Sequence, residues 1–409
     1  MLNWVNRFSI FCFLDNHQYN YSVASFECLL AAGCKKSIEV QAGNAFESLQ
    51  NFYNPENKEW IFGHFGYDLK NETEQLHSDN FDGIGFSDLH FFVPETVLKL
   101  NMDEVMIFSD GDPVDIFNEI LSFPSIISPV NKTPVAVQNR ISKKDYVNII
   151  SQLQQHILRG DCYEINFCQE FFAQNVLLQP LWVYDRLTRL SPNPSAAFYK
   201  VNNRFCLCAS PERYLKKTGN TICSQPIKGT SKRNLENAEQ DEFQKEYLRQ
   251  SNKEKSENVM VVDLVRNDLS RFCNPGTVQV EELFGLYSFP QVHQMISTII
   301  GQLKTGLTWV DCIKSSFPMG SMTGAPKKKV MELIEQYEQT KRGLFSGAIG
   351  YVDPNGNFDF NVVIRSLLYN EEGRYLSFQT GSAITFYSNA EMEYEECLLK
   401  AQAINSILS

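Results

Sequence analysis

Three strand-like runs follow one another in Ala348-Ile349-Gly350-Tyr351, Phe358-Asp359-Phe360-Asn361-Val362-Val363-Ile364-Arg365-Ser366-Leu367-Leu368 and Tyr375-Leu376-Ser377-Phe378-Gln379. Helical periodicity lies on either side of them, over 327–340 and 392–408, and none lies between. Strands that succeed one another without crossover helices indicate an α+β chain with sizeable antiparallel sheets rather than a βαβ repeat.

The chain upstream fits the same class. A helix is expected from Ser142, whose side chain can cap the first turn, to Leu158, with Tyr146, Ile149, Ile150, Leu153 and Ile157 on its apolar face and Gly160 as its stop. His156 beside that face is expected to be structural. Further strands are expected over Cys162–Phe172, Ala196–Cys208 and Thr221–Ile227, and a helix over 241–264. Residues 1–130 hold strand-like stretches at Trp60–Phe65 and Leu89–Val93. Prolines and serines gather over 123–134, so the sequence is divided there into an N-terminal part, 1–130, and a second region, 131–409.

Composition excludes several classes of function. The chain has 409 residues, 43% of them hydrophobic, which is enough to bury large cores. Against 48 acidic residues stand 37 basic ones, a net charge of -11 with no basic run, so a nucleic-acid partner is not expected. No span of about 20 apolar residues suggests a membrane helix. The apolar stretch Phe8–Leu14 lacks the continuity and cleavage site of an export signal. Eleven scattered cysteines and six scattered histidines form no zinc pattern and fit reduced thiols in a cytoplasmic protein.

Four features carry possible chemistry. Lys228, in Gln225-Pro226-Ile227-Lys228-Gly229-Thr230, is a candidate nucleophile or anion clamp, whose pKa partial burial or neighbouring cations can lower, although sequence alone does not show it; its plainer reading is a loop cation. Phe317–Lys327 holds two glycines and Pro326 before a helix, an anion-binding start to which Lys327, Lys328 and Lys329 contribute unless they face solvent; a helix-capping turn without ligand is the alternative. Glu254 with Glu257, and Glu393 with Glu396, lie three apart on two predicted helices, each pair on one face. Facing one another, the pairs can hold Mg2+; apart, they are solvated glutamates, and Arg266 beside them can pair with Asp263 or Asp268. Finally, small residues at Gln379–Thr385 allow close approach to the backbone, Arg365 calls for an anionic partner, and Lys400 either points there or pairs with Glu396 four residues earlier.

Ser210-Pro211-Glu212-Arg213, Asp263-Leu264-Val265-Arg266-Asn267-Asp268, Gly320–Lys327 and Arg342-Gly343-Leu344-Phe345-Ser346-Gly347 occur together and in order. With them, residues 142–401 closely resemble the chorismate-utilising enzymes, a family that includes anthranilate, aminodeoxychorismate, isochorismate and salicylate synthases. The resemblance implies large antiparallel sheets packed as a sandwich with helices outside. Pro-Ile-Lys-Gly-Thr around Lys228 matches the aminodeoxychorismate branch, where the anthranilate branch has alanine for the lysine. The resemblance then implies that Lys228 attacks C2 of chorismate, that ammonia enters at C4, and that Glu212 serves as acid and base. It implies Mg2+ held directly by Glu257 and Glu396, with Glu254 and Glu393 behind. Arg365 and the backbone at Gly381 and Ser382 are matched to the enolpyruvyl carboxylate, Thr323 to the ring, and His293 to a histidine beside it. Phe345 replaces a common tyrosine, Ser382 interrupts a glycine pair, and Glu164 stands where the branch typically has glutamine. The sequence contains no glutaminase motif, so the resemblance implies ammonia from a separate glutaminase subunit in a heterodimer. Anthranilate synthesis is the alternative enzyme reading; a non-catalytic protein that keeps the fold is the alternative outside enzymology.

Overall fold

Alternation along the strand Ile10–Asp15 sets the layering: Phe11 and Phe13 join one buried cluster, Cys12 and Leu14 another. The computed structural model describes residues 1–19, 26–101, 103–124, 134–289 and 292–409. The proline-rich boundary therefore lies largely outside the described residues, over 125–133.

Among the described residues the strands form two antiparallel sheets, of 11 and 10 strands. The larger runs Gly324–Ala325, Glu164–Ala173, Tyr375–Ile384, Ser366–Asn370, Arg204–Ser210, Ser195–Val201, Ile10–Asp15, Cys28–Ala32, Thr96–Asn101, Glu104–Ser109, with Gln138–Asn139 added on Glu164–Ala173. The smaller runs Ile227–Lys232, Val292–Gln302, Thr221–Gln225, Arg213–Thr218, Phe358–Asn361, Ala348–Val352, Ile61–Phe65, Leu89–Val93, Lys36–Val40, with Gln279–Ser288 added on Val292–Gln302. Strands from the first 130 residues pair with strands from the rest in both: Phe13 opposite Phe198, Gly63 opposite Gly350.

The sheets pack face to face over Cys12, Leu29, Tyr199 and Cys206 of one and Phe62, Phe92 and Tyr351 of the other. Helices cover the outer faces. Ala45–Phe52, Asn252–Phe272 and Trp309–Ser316 lie on the smaller sheet, Pro180–Leu190 and Ala390–Leu408 on the larger. This is the sandwich with external helices expected from the resemblance.

Local signals explain most boundaries. Ser142 accepts from the Asp145 N–H and starts the helix Lys143–Leu158. Three expectations are corrected. The run 196–208 is a hairpin, Ser195–Val201 and Arg204–Ser210, because Asn202 takes up a positive φ of 53° and turns the chain. The helix expected over 241–264 is two, Ala238–Gln250 and Asn252–Phe272, broken where Ser251 ends one and caps the other. The run 358–368 is two strands in different sheets, with the crossing at Val362–Arg365.

His64 and His90 sit inside the sandwich and share the Tyr199 hydroxyl, which lies 3.0 Å from His64 Nδ1 and 2.8 Å from His90 Nδ1. His64 Nε2 donates to the Ser87 carbonyl at 2.8 Å. Burial lowers the pKa of His64 to about 4 and, helped by His64, that of His90 to about 3. Both are neutral in the fold, whereas the unfolded chain binds protons to them below pH ~6.5. Stability is therefore expected to fall as pH drops from ~6.5, by about 1.4 kcal/mol per histidine per pH unit until the folded values are reached. Urea unfolding between pH 7 and 5 checks this; a slope unchanged in His64→Gln/His90→Gln contradicts it.

Candidate active site

Two crossings between the sheets build the floor of the site. Ser210-Pro211-Glu212 carries the chain from Arg204–Ser210 to Arg213–Thr218, and Val362–Arg365 carries it back from Phe358–Asn361 to Ser366–Asn370. The crossings lie side by side: the Val362 N–H donates to the Glu212 carbonyl at 3.1 Å and the Ala209 N–H to the Arg365 carbonyl at 3.3 Å. Arg365, which the sequence places inside a strand, instead takes a φ of 51° at the crossing. Its guanidinium makes no hydrogen bond or ion pair with the described residues. Burial lowers its pKa, and the charge of Glu212 opposes that. Burial pushes Glu212 up to about 7 against the Ser321 hydroxyl, Lys228 and Arg365. A carboxyl so placed exchanges protons near neutrality.

Lys228 lies on the edge strand Ile227–Lys232 of the smaller sheet and reaches across to the larger. Its Nζ donates to Glu164 Oε1 at 3.0 Å and to Asn166 Oδ1 at 3.4 Å. Its pKa, which the sequence leaves open, is set by opposing effects. Burial does pull it down, but Glu164, Glu257 and Glu212 together push it above the ordinary lysine value. The resting side chain is an ammonium, and Glu164 keeps a second buried oxygen, Oε2, without a hydrogen-bond partner. Gly229 follows with a φ of 92°; a Cβ there would meet Glu254 Oε2 and Leu248 at 3.1 Å.

The loop after the helix Trp309–Ser316 closes one side. Thr323 is buried, and its hydroxyl donates to the carbonyls of Met319 at 3.2 Å and Gly320 at 3.4 Å, so it shapes the loop. Asn166, two residues from Glu164 on the same strand, donates its amide to the Ser321 carbonyl at 3.0 Å. The expected anion-binding lysine is also corrected: Lys327 is committed to Asp268 at 2.8 Å and to the Ser316 carbonyl at 2.9 Å. Arg266 pairs with Asp263 at 2.9 Å on the surface. Arg342 braces the loop from behind. It donates to the Met322 carbonyl at 2.7 Å, to the Asn166 carbonyl at 2.8 Å and to Glu338 at 2.6 Å. Phe345 is buried in the cluster between the sheets.

The four glutamates converge from opposite outer layers of the sandwich. Glu254 and Glu257 come from Asn252–Phe272, Glu393 and Glu396 from Ala390–Leu408. Burial pushes Glu257 up to about 7 and also raises Glu254. For Glu396 burial acts in the same direction, but Lys400, 2.7 Å away, with Lys253 and Lys228, outweighs it and lowers the pKa. Glu257 Oε1 and Glu393 Oε2 are buried without hydrogen-bond partners. Four carboxylates, two of them with an unsatisfied buried oxygen, suit a hard divalent ion such as Mg2+. As placed, no three such side chains among the described residues stand close enough to ligate one.

Of the remaining predicted residues, Lys400 falls at this cluster. Lys400 donates to the Gly381 carbonyl at 2.8 Å besides pairing with Glu396. At Gly381 a Cβ would collide with the Phe167 carbonyl. The Ser382 side chain is buried beside Tyr146 on the helix Lys143–Leu158. His293 is held by the Ser288 hydroxyl at 2.8 Å and by Asp241 of Ala238–Gln250 at 3.2 Å. Its neighbour Gln294 is wholly buried with both amide atoms unpartnered, a residue to which the sequence assigned no role, as with Asn166 and Lys253. Of these, Asn166 was within reach, since period-two spacing in a strand puts it on the face of Glu164.

Comparison with known proteins bears on the family and the fold. A family model for chorismate binding enzymes matches residues 11–406. Aminodeoxychorismate synthase of Arabidopsis thaliana, a chloroplastic protein, is 40% identical over 285 residues, covering 69% of this chain but only 30% of that longer protein. Aminodeoxychorismate synthase component 1 of Klebsiella aerogenes is 34% identical, covering 84% of this chain and 75% of its own length. The crystal structure of anthranilate synthase component I from Streptococcus pneumoniae TIGR4 superposes with a TM-score of 0.81 at 25% identity, covering 95% of this chain and 94% of that one. A double-crossed sandwich, a buried Glu212 and paired glutamates from two helices thus stand in a sequence matched nearly end to end: the chain belongs to the chorismate binding enzyme family.

Proposed function

We propose that the chain aminates chorismate at C4 to give 4-amino-4-deoxychorismate, the precursor of 4-aminobenzoate in folate synthesis. The observation that carries this is Lys228, held by Glu164 and Asn166 next to Glu212 within Pro-Ile-Lys-Gly-Thr. In this reading Lys228 gives up its proton, and its free amine bonds to ring C2 while the C4 hydroxyl leaves as water with a proton from Glu212. Ammonia then bonds to C4, the C2–nitrogen bond breaks, and the enolpyruvyl group is kept. Arg365, without a hydrogen bond or ion pair among the described residues, receives a substrate carboxylate. Mg2+ would be held by Glu257 and Glu396, with Glu254 and Glu393 behind, and supplies positive charge for the ring carboxylate. Relatives named component 1 support a second component, here a glutaminase that delivers ammonia. No helix among the described residues is long and apolar enough to cross a membrane, and all eleven cysteines are free, which supports a cytoplasmic setting.

Chromatography of the products from chorismate, Mg2+ and ammonia tests the reading. Aminodeoxychorismate without pyruvate is expected; anthranilate with pyruvate, the chemistry of the pneumococcal relative's name, would overturn it. Because Glu212 must carry a proton to expel the hydroxyl, turnover is expected to decline as pH rises through about 7. Glu212→Gln should lose at least about 100-fold in kcat and, with it, that limb of the pH profile.

A further inference from the structure

Lys253 stands in the middle of the glutamate cluster. Its Nζ is 3.7 Å from Glu393 Oε1 and 3.9 Å from Glu257 Oε1, so it touches carboxylates of both helices. Glu254 and Glu396 also act on it electrostatically. Both measured separations exceed a hydrogen bond, so the ammonium is attracted by the glutamates without being fastened to any of them. Its side chain is 52% exposed, and the stem can swing outward into water. Lys253 is also the second residue of Asn252–Phe272, where a positive charge opposes the helix dipole and leaves more readily than it would elsewhere.

The glutamates around it are less free. Glu393 is 2% exposed and Glu257 9%, and each keeps one buried oxygen without a hydrogen-bond donor, Oε2 of Glu393 and Oε1 of Glu257. Buried oxygens left in this state call for a cation. An ammonium nearly 4 Å away answers the charge but not the hydrogen-bonding capacity, whereas Mg2+ takes oxygens at about 2.0–2.1 Å.

We infer that Lys253 is the cluster's internal cation: it neutralises the glutamates when no metal is bound, and a divalent ion must displace it to enter. The inference rests on the reading that these glutamates hold Mg2+. Lys253 separates the two helices' carboxylates, and its departure lets them close on a smaller, doubly charged ion. Metal affinity is accordingly weaker than the four carboxylates alone would give, and the protein without metal is spared the repulsion of a bare glutamate cluster.

Calorimetric titration of the whole protein with MgCl2, with no substrate present, tests this. Lys253→Met keeps the length of the stem and removes the charge; Lys253→Gln serves as a second neutral variant, and Lys253→Arg keeps the charge. Both neutral variants are expected to bind Mg2+ about tenfold more tightly than wild type, with lower melting temperatures in EDTA and larger upward shifts on adding Mg2+. Lys253→Arg should stay near wild type. Unchanged or weaker Mg2+ binding in the neutral variants, with wild type binding normally, overturns the role of Lys253 alone. Absence of Mg2+ binding in wild type and variants alike overturns the metal reading and this inference with it.

Discussion

Lys228→Ala is expected to lower turnover of chorismate with ammonia by at least about 10³-fold, the scale on which nucleophile substitutions act. The loss has two origins that need separating. The ammonium is the contact partner of Glu164, which is 1% exposed, and removing it strands a buried carboxylate. Breaking such a pair from one side costs about 3–5 kcal/mol. The single variant should therefore be both inactive and less stable. Lys228→Met with Glu164→Gln removes the stranded charge and is expected to regain most of the stability while staying inactive. Urea unfolding and turnover measured on the same preparations distinguish fold from chemistry. With ammonia withheld, mass spectrometry should find a chorismate-derived adduct on Lys228 in wild type and none in either variant; product formation that survives Lys228→Ala would end the covalent reading.

Arg342→Met is expected to destabilise the protein by about 3–5 kcal/mol, through a different route. The guanidinium is 1% exposed and Glu338 4%, so no water can replace either partner. Two backbone carbonyls, at Met322 and Asn166, would lose their donor as well. These hold the loop that carries Ser321 and the strand that carries Glu164, so the variant should also lose activity without touching substrate. Arg342→Met combined with Glu338→Leu leaves no stranded charge and is expected to recover stability. If the double variant unfolds as readily as the single one, the ion pair is not the cause. Turnover should not recover in parallel, because the apolar pair cannot restore the donors to Met322 and Asn166.

These two residues also show where the sequence was legible. Lys228 and both glutamate pairs stand out because their signals are local, a rigid proline step and a three-residue spacing on a helix, whereas Glu212 came with the family motif Ser210-Pro211-Glu212-Arg213. The environment of Lys228 was not local. Its counter-ion lies 64 residues earlier on the other sheet, so the sequence leaves open the direction in which Glu164 moves its pKa, which is upward. The same limit hid Lys253, whose helix neighbours are ordinary and whose significance comes from Glu393 on another helix. The run Phe358–Leu368 has the composition of one strand throughout, and only the pairing of its two ends with different sheets reveals the crossing that sets Arg365 beside Glu212. The strands Gln279–Ser288 and Val292–Gln302 went unread, and with them the side of the strand on which Gln294, rather than His293, is left unpartnered.

The interleaving of early and late strands bears on how the chain is made. Ile10–Asp15 needs Ser195–Val201 as its neighbour, and Ile61–Phe65 needs Ala348–Val352. At roughly 5–20 residues per second, the ribosome leaves these early strands with open edges for some tens of seconds before their partners emerge. Contacts so distant in sequence also close slowly once all the residues are present. The nascent chain therefore passes through a long interval in which half-built sheets face the surrounding medium, and its yield in a cell depends on what shields those edges during synthesis as much as on the stability of the finished fold.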